Sequence, residues 1–361
     1  MSYEFQPATH DAIDLLKQLI STPSISRNES ATADIIFQYL LDKGFKPERK
    51  ENNVWVHSFI SNALPTILLD SHHDTVKPVS SWTLDPYQPI EKDGKLCGLG
   101  SNDAGASLVS LLMTFLHYAQ QPDRPFNLIF SASAEEEVSG VRGMAIIVEE
   151  FGKIDLAIAG EPTKMQMAVA EKGLLVLDCK AIGKTGHAAR NEGINAIYLA
   201  MEDMEWFKTY QFPDKSDLLG PVKMSVTMIN AGTQHNVVPP ECTYVVDVRT
   251  NEFYSNQQAL DIIRSHMKNS AVTPRSTHLN SSRISTDHPI VKRGVELGLS
   301  YFGSPTSSNQ MLMPFPSIKI GPGDSARSHS ADEFVYLEEI EKGIEIYIKL
   351  LDKLVLADIR R

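Results

Sequence analysis

Apolar residues recur at helical spacing from Asp11 to Ile20 and again from Ser30 to Leu41, where Gly44 is placed to cap the helix end. Asn53 to Phe59 and Thr66 to Asp70 are short apolar runs that predict strands. A long apolar helix follows over Ala106 to Ala119, then a buried strand over Phe126 to Ser131, a helix over Val141 to Phe151 and a short strand over Ile154 to Ala159. Alternation of strand and helix predicts a largely parallel sheet covered on both faces.

Past Gly173 the pattern changes. Leu174 to Ile182, Val222 to Ile229 and Cys242 to Arg249 predict strands with partial alternation, interrupted by helices over Asn195 to Tyr210 and Asn256 to Lys268. That order suits a small α+β sandwich on an antiparallel sheet. Around Thr286 the first pattern resumes, with a helix over Pro289 to Tyr301, a strand over Ser317 to Ile320 and a terminal helix over Leu337 to Leu356. The expectation is an α/β protein with a discontinuous main domain, residues 1–173 and 285–361, and a smaller domain inserted at 174–284. A chain of 361 residues exceeds one comfortable core, in keeping with two domains.

Composition narrows the function classes. A net charge of -11 argues against nucleic acid, whose phosphates need a basic footprint. The 42% hydrophobic and 22% charged content is that of an ordinary globular protein, and no apolar stretch approaches the roughly 20 residues that span a bilayer. Met1-Ser-Tyr-Glu-Phe-Gln-Pro lacks the basic start and apolar core of a signal peptide. Cys97, Cys179 and Cys242 have no paired spacing, so reduced thiols and a cytoplasmic protein are expected.

The apolar runs share an unusual ending. Thr66 to Ser71 leads into His72-His73-Asp74, Phe126 to Ala134 into Glu135-Glu136-Glu137, and Leu156 to Gly160 into Glu161. Asp103 lies between Gly100 and Gly105 before a helix, and His329 follows a Gly- and Ser-rich stretch. Buried strands do not end in unpaired charge without cost, so acids and histidines converging at strand ends suggest a site for one or two metal ions. An imidazole at His72 can bind zinc while Asp74, two residues on and pointing the same way, supports the ring or orients the group that does. Three consecutive acids repel one another unless cations sit among them. Alternation sends Glu136 and Glu137 in different directions, leaving one to bind metal and the other free as a general base.

These motifs resemble the co-catalytic zinc deacylase and exopeptidase family that includes acetylornithine deacetylase, succinyl-diaminopimelate desuccinylase, aminoacylase and carboxypeptidase G. The family's H-x-D-T/V-V-P appears as His72-His73-Asp74-Thr75-Val76-Lys77-Pro78, with a lysine inserted. Its G-x-G-x-x-D-x-K-G appears as Gly98 to Gly105 with alanine for lysine, and its D-E-E as Glu135-Glu136-Glu137. Gly183-Lys-Thr-Gly-His187 to Ile197 resembles a further motif of the insert, with Asn191 where proline is usual.

The resemblance implies a zinc-peptidase-like catalytic sheet and an inserted dimerisation or lid domain. It implies two divalent ions, zinc with cobalt or manganese as alternatives, bridged by Asp103. His72 and Glu161 would complete one site, Glu137 and His329 the other. Asp74 would support His72, Glu136 would act as general base, and His187 would reach the partner subunit's active site in a homodimer to stabilise an oxyanion. Asn236 and Arg249 would bind substrate, the guanidinium suiting a carboxylate, with Lys172 a further candidate and Ser308 and Asn309 expected to help recognise it. The implied substrate is a small N-acyl amino acid, foremost N-acetylornithine or an N-acetyl or N-succinyl citrulline in arginine biosynthesis. A desuccinylase and a dipeptide-cleaving exopeptidase are the neighbouring readings. A non-catalytic homologue would have lost a ligand or the base, and all of them are present.

Overall fold

The computed structural model describes residues 6–356 apart from Asn191. Asn191 and the first five residues, on which part of the signal-peptide reading rests, lie outside the described residues. Two compact units are present. One comprises the described residues up to Val169, Ile284–Phe302 and those from Ser308 onward; the other comprises Ala170–Arg283 with Gly303–Ser307. The expected boundaries at 174 and 284 differ from these by a few residues, and the short 303–307 segment groups with the inserted unit rather than with the main one.

In the first unit the strands lie in the order Glu48–Lys50, Asn53–Ser58, Asn127–Ser133, Thr66–His72, Leu156–Ala159, Ser317–Lys319 and Met167–Glu171. The four from Asn127–Ser133 through Ser317–Lys319 are mutually parallel, and the strands flanking them are antiparallel to them. Every residue of Thr66–His72 and Asn127–Ser133 is buried, which explains why these segments read as continuous apolar runs rather than alternating ones. Leu68 and Ile129 pack with Trp55, Met144, Ile147 and Phe151. The helix Ala106–Ala119 packs on the same two strands, with Phe115 6.2 Å from Phe130. This helix is apolar nearly all round because it is itself covered, by Gln6–Ile20 and Leu337–Leu351.

The second unit has a four-stranded antiparallel sheet in the order Lys223–Ala231, Glu241–Arg249, Leu175–Ile182 and Ser270–Pro274. Leu175, Leu177, Cys179 and Ala181 alternate inward with Cys242, Tyr244, Val246 and Val248 against the helices Ala196–Thr209 and Asn256–His266. Ser255 caps the second of these helices through a reciprocal box with Gln258. All three cysteines are free, and among the described residues no helix is long and apolar enough to cross a membrane.

Three expectations need correction. The helix expected over Val141 to Phe151 is only Met144–Ile147; Gly143 passes so close to the Ala134 carbonyl that a Cβ there would lie 2.1 Å from it, and the preceding residues form loop instead. The helix expected to reach Tyr301 stops at Glu296, closed by Gly298 at φ +84° and the Leu299 N–H on the Gly294 carbonyl. The terminal helix ends at Leu351 rather than Leu356. Met167–Glu171 and Ser270–Pro274 are strands that the apolar pattern did not mark.

Candidate metal centre and active site

Register brings His72, Glu136, Glu137 and Glu161 together at the C-terminal ends of neighbouring interior strands. His72 pairs in register with Ser133, so Glu135–Glu137 begin two residues beyond its neighbour. Asp70 pairs with Ala159 on the other side, so Glu161 follows at the same level. Gly160 makes that approach possible: a Cβ there would lie 2.7 Å from Leu111 and 3.0 Å from Ser71 and Ser107. Asp103 arrives from a tight turn that Gly100 enters at φ +76°, ahead of the Ala106–Ala119 helix; the Asp103–Ala104 peptide is cis.

Asp103 stands between the two histidines. Its Oδ1 lies 3.4 Å from His72 Nε2 and its Oδ2 3.7 Å from His329 Nε2. Glu161 Oε1 is 3.9 Å and Glu136 Oε2 4.0 Å from His72 Nε2. His329 Nε2 is hydrogen-bonded to Glu137 Oε2 at 2.8 Å. Within 4.8 Å of one another lie one donor atom each from His72, Asp103 and Glu137, and one each from His72, Glu136 and Glu161. The structure thus draws all five expected ligands and the expected base into one cluster. It also sets Glu136 as close to His72 as Glu161 is, which side-chain alternation did not anticipate.

The electrostatics match a cation site. Burial, reinforced by Glu137, Asp74 and Asp103, pushes Glu136 up to about 8 against the pull of His72. Burial and then Glu136 raise Glu161 well above the usual carboxylate range. The hydrogen bond to Glu137 raises His329 to about 9. Burial would lift Asp103 too, but its contacts with His72 and the neighbouring Ser328 and His329 hold it below normal. His72 Nε2 is buried without a hydrogen-bond partner while Nδ1 lies 3.0 Å from the Asp74 carbonyl oxygen. An imidazole with one nitrogen anchored to a carbonyl and the other left open toward carboxylates is the arrangement of a metal ligand. Carboxylate and imidazole together suit zinc, cobalt or manganese. The residues fit two ions, with Asp103 facing both.

Asp74 does more than support His72. Its Oδ1 accepts the Glu136 N–H at 3.0 Å, and its Oδ2 the Glu137 N–H at 3.2 Å and the Ser26 hydroxyl at 2.6 Å. It therefore sets the backbone from which the base and one ligand project. Glu135 turns away: its carboxylate lies 3.3 Å from Arg142 Nε, and its N–H donates to Glu29 Oε1. His73 also points elsewhere, its Nδ1 2.8 Å from Thr32 Oγ1 and its Nε2 2.9 Å from the Asn52 carbonyl oxygen, and burial lowers it to about 4. Sequence reasoning missed Ser26, Glu29 and Asn102 and gave Glu333 no role. Their polar side chains bond mainly to backbone far away in sequence, and no local pattern marks that.

The remaining expected residues divide. In the inserted unit, Gly186–His187 pairs with Val237–Val238, and the Ala188 N–H donates to the Asn236 carbonyl, so His187 and Asn236 share one exposed corner. Arg249 is held by both oxygens of Asp247 and donates to Ser307 Oγ. Lys172 donates to the Pro221 carbonyl, and burial, with Lys223 and Arg249 nearby, lowers it. Ser308 and Asn309, expected to meet substrate, are turned into the protein. Ser308 Oγ accepts the Gln310 N–H, and the Asn309 amide donates to Ser133 Oγ at 2.7 Å and Asp70 Oδ2 at 3.2 Å. That network holds Asp70, which burial raises to about 6 against the opposing hydrogen bonds from Asn309, Ser131 and Ser133.

Comparison with known proteins agrees with this geometry. Residues 68–353 match the profile of "Peptidase family M20/M25/M40". The chain is 26% identical to a succinyl-diaminopimelate desuccinylase of Xanthomonas campestris pv. campestris (strain B100), over 96% of this chain and 100% of that protein. It is likewise 26% identical to an acetylornithine deacetylase of Proteus mirabilis, over 96% of this chain and 97% of that protein. The fold matches that of an aminopeptidase from Bacillus cereus with a TM-score of 0.77 at 16% identity, over 96% and 98% of the two chains. It matches a dinuclear metal-binding peptidase from Bacillus subtilis with a TM-score of 0.73 at 14% identity, over 96% and 98%.

Proposed function

The chain belongs to peptidase family M20/M25/M40, a family of metal-dependent amidohydrolases and peptidases, and from that premise we propose that it hydrolyses the amide bond of an N-acyl amino acid. The observation that carries the reading is Asp103, with one oxygen toward His72 and the other toward His329, beside a half-buried Glu136 whose carboxyl is raised to about 8. His72, Glu161 and Asp103 would hold one ion, Glu137, His329 and Asp103 the other. When bound, such ions polarise a carbonyl and lower the pKa of water. Glu136 takes the proton of the attacking water and delivers it to the leaving nitrogen, as a general acid–base carboxylate does. Asp74 fixes the backbone of Glu136 and Glu137 throughout.

N-acetylornithine is the foremost substrate in this reading, with N-acetyl- and N-succinyl-citrulline beside it, in arginine biosynthesis. Relatives that deacetylate and desuccinylate support the class, and Arg249 and Lys172 supply cations for an amino-acid carboxylate. Three free thiols favour a cytoplasmic setting. Initial rates on N-acetylornithine, N-acetylcitrulline, N-succinyl amino acids and dipeptides test this directly. Turnover of dipeptides alone would replace the deacylase reading with an exopeptidase.

The reading includes a homodimer through the inserted unit. Lys223–Ala231 is an edge strand with Met228 65% and Ile229 57% exposed, and the helix Ala196–Thr209 packed on it exposes Tyr198 and Met201. An unpaired strand edge with an apolar surface is a template for a second copy. His187 would then stabilise the oxyanion in the partner's site. His187→Ala is expected to lower kcat by about a hundredfold or more, as loss of an oxyanion donor does, with ion content unchanged by metal analysis. Loss of ions would instead place His187 among the ligands.

A further inference from the structure

His329 is the candidate ligand that burial does not hold. Its side chain is 56% exposed, against 1% for His72 and 13% for Asp103. Its backbone sits at φ +56°, a left-handed conformation that residues with a Cβ adopt only when surrounding contacts impose it. Those contacts lie on both sides of it in the chain. Before it, Asn102 Oδ1 accepts the Asp324 N–H at 2.9 Å, and Asn102 Nδ2 donates to the Asp324 carbonyl at 3.1 Å and to Ser328 Oγ at 3.3 Å. After it, Glu333 Oε1 accepts the Asn102 N–H at 2.8 Å and the Asp103 N–H at 3.0 Å, while the Gly98 N–H donates to the Glu333 carbonyl at 3.0 Å.

The side-chain bonds of Asn102 and Glu333 therefore both join this segment to Asn102 and Asp103, the turn that supplies the shared carboxylate, beside its other ties from Asp332 to Thr83 and Leu84. Asn102 is fully buried and Glu333 is 2% exposed, so the bonds they make are shielded from competing water. Asn102 and Glu333 are polar side chains spent on backbone groups of the two segments that must meet for an ion to be held between Asp103, Glu137 and His329.

We propose that Asn102 and Glu333 are positioning residues that clasp the 324–333 segment onto the Asp103 turn and thereby set the affinity of the Glu137–His329 half of the centre for its ion. The His72–Glu161 half shares Asp103 but depends less on this clasp, because its other two ligands come from the ends of paired, buried strands. With the clasp intact, the segment carrying His329 is ordered before the ion arrives. Without it, ion binding must also order that segment, and affinity falls. The proposal rests on the two-ion reading of the site.

Equilibrium dialysis of the full chain against graded free Zn²⁺, with metal and protein both counted, separates the two. In the unaltered protein two binding steps are expected. Asn102→Ala and Glu333→Ala are each expected to weaken one step by about ten- to a hundredfold, the range for residues that orient a ligand, and to leave the other step in place. Glu333→Gln keeps an acceptor oxygen and is expected to restore the weakened step, which a general loss of stability would not allow. Should Asn102→Ala fail to fold, Ser328→Ala removes one arm of the clasp at a half-buried position and is expected to weaken the same step. A single step in the unaltered protein would overturn the two-ion reading and the proposal with it. Two steps in the unaltered protein, with the variants losing neither or both equally, would overturn the proposal alone.

Discussion

Glu136→Gln is expected to lower kcat by about two to four orders of magnitude, the range that general acid–base catalysis supplies, while the protein keeps both ions. The substitution preserves shape and removes only the capacity to carry a proton. The Glu136 N–H would still donate to Asp74, so the loop and the neighbouring ligand Glu137 stay in place. The check is kcat on the best substrate of the panel together with metal content of the same sample. Turnover within tenfold of the unaltered enzyme would show that another group carries the proton.

Asp103→Ala is expected to remove ions from both halves of the centre. One Asp103 oxygen faces His72 and the other His329, so a single truncation deletes a ligand from each site. Loss of a residue that merely orients a ligand weakens metal binding by about ten- to a hundredfold, and loss of the ligand itself is expected to exceed that for both ions. The same truncation takes a carboxylate from beside two imidazoles, and removing one partner of a buried charged pair costs about 3–5 kcal/mol; His72 is the buried one, so the thermal midpoint should fall as well. Metal analysis after dialysis, and a thermal melt, read the two effects. Retention of one full equivalent of metal by Asp103→Ala would mean that Asp103 serves one ion only.

Glu29 illustrates what sequence reading could not reach. It is a charged residue just before an amphipathic helix, a common surface placement, yet it is fully buried and accepts the Glu135 N–H and the Asn52 amide. Glu333 is the same case in the C-terminal segment. Both act on backbone amides more than a hundred residues away, and hydrogen bonds of that kind leave no periodicity behind. Asn309 is the converse: a polar residue before a strand suggested substrate contact, but its amide is spent on a buried carboxylate. The helix expected over Val141 to Phe151 failed for a related reason, since apolar spacing there reflects packing against Leu68 and Ile129 rather than a continuous helix.

The chain alone determined the parallel sheet, the inserted antiparallel unit and the identity of the acids and histidines at the strand ends. Those are local matters: period, run length and a charge placed where a buried run stops. Tertiary structure decided which of those groups face one another. Parallel register puts His72, Glu137 and Glu161 together at the C-terminal strand ends, and Asp103 reaches them from a turn on a different segment. His329 is brought in by a loop fastened by side chains distant in sequence, Asn102 among them and Thr83 through Asp332. Distances between groups far apart in sequence depend on strand order and loop anchoring, and a linear pattern carries neither.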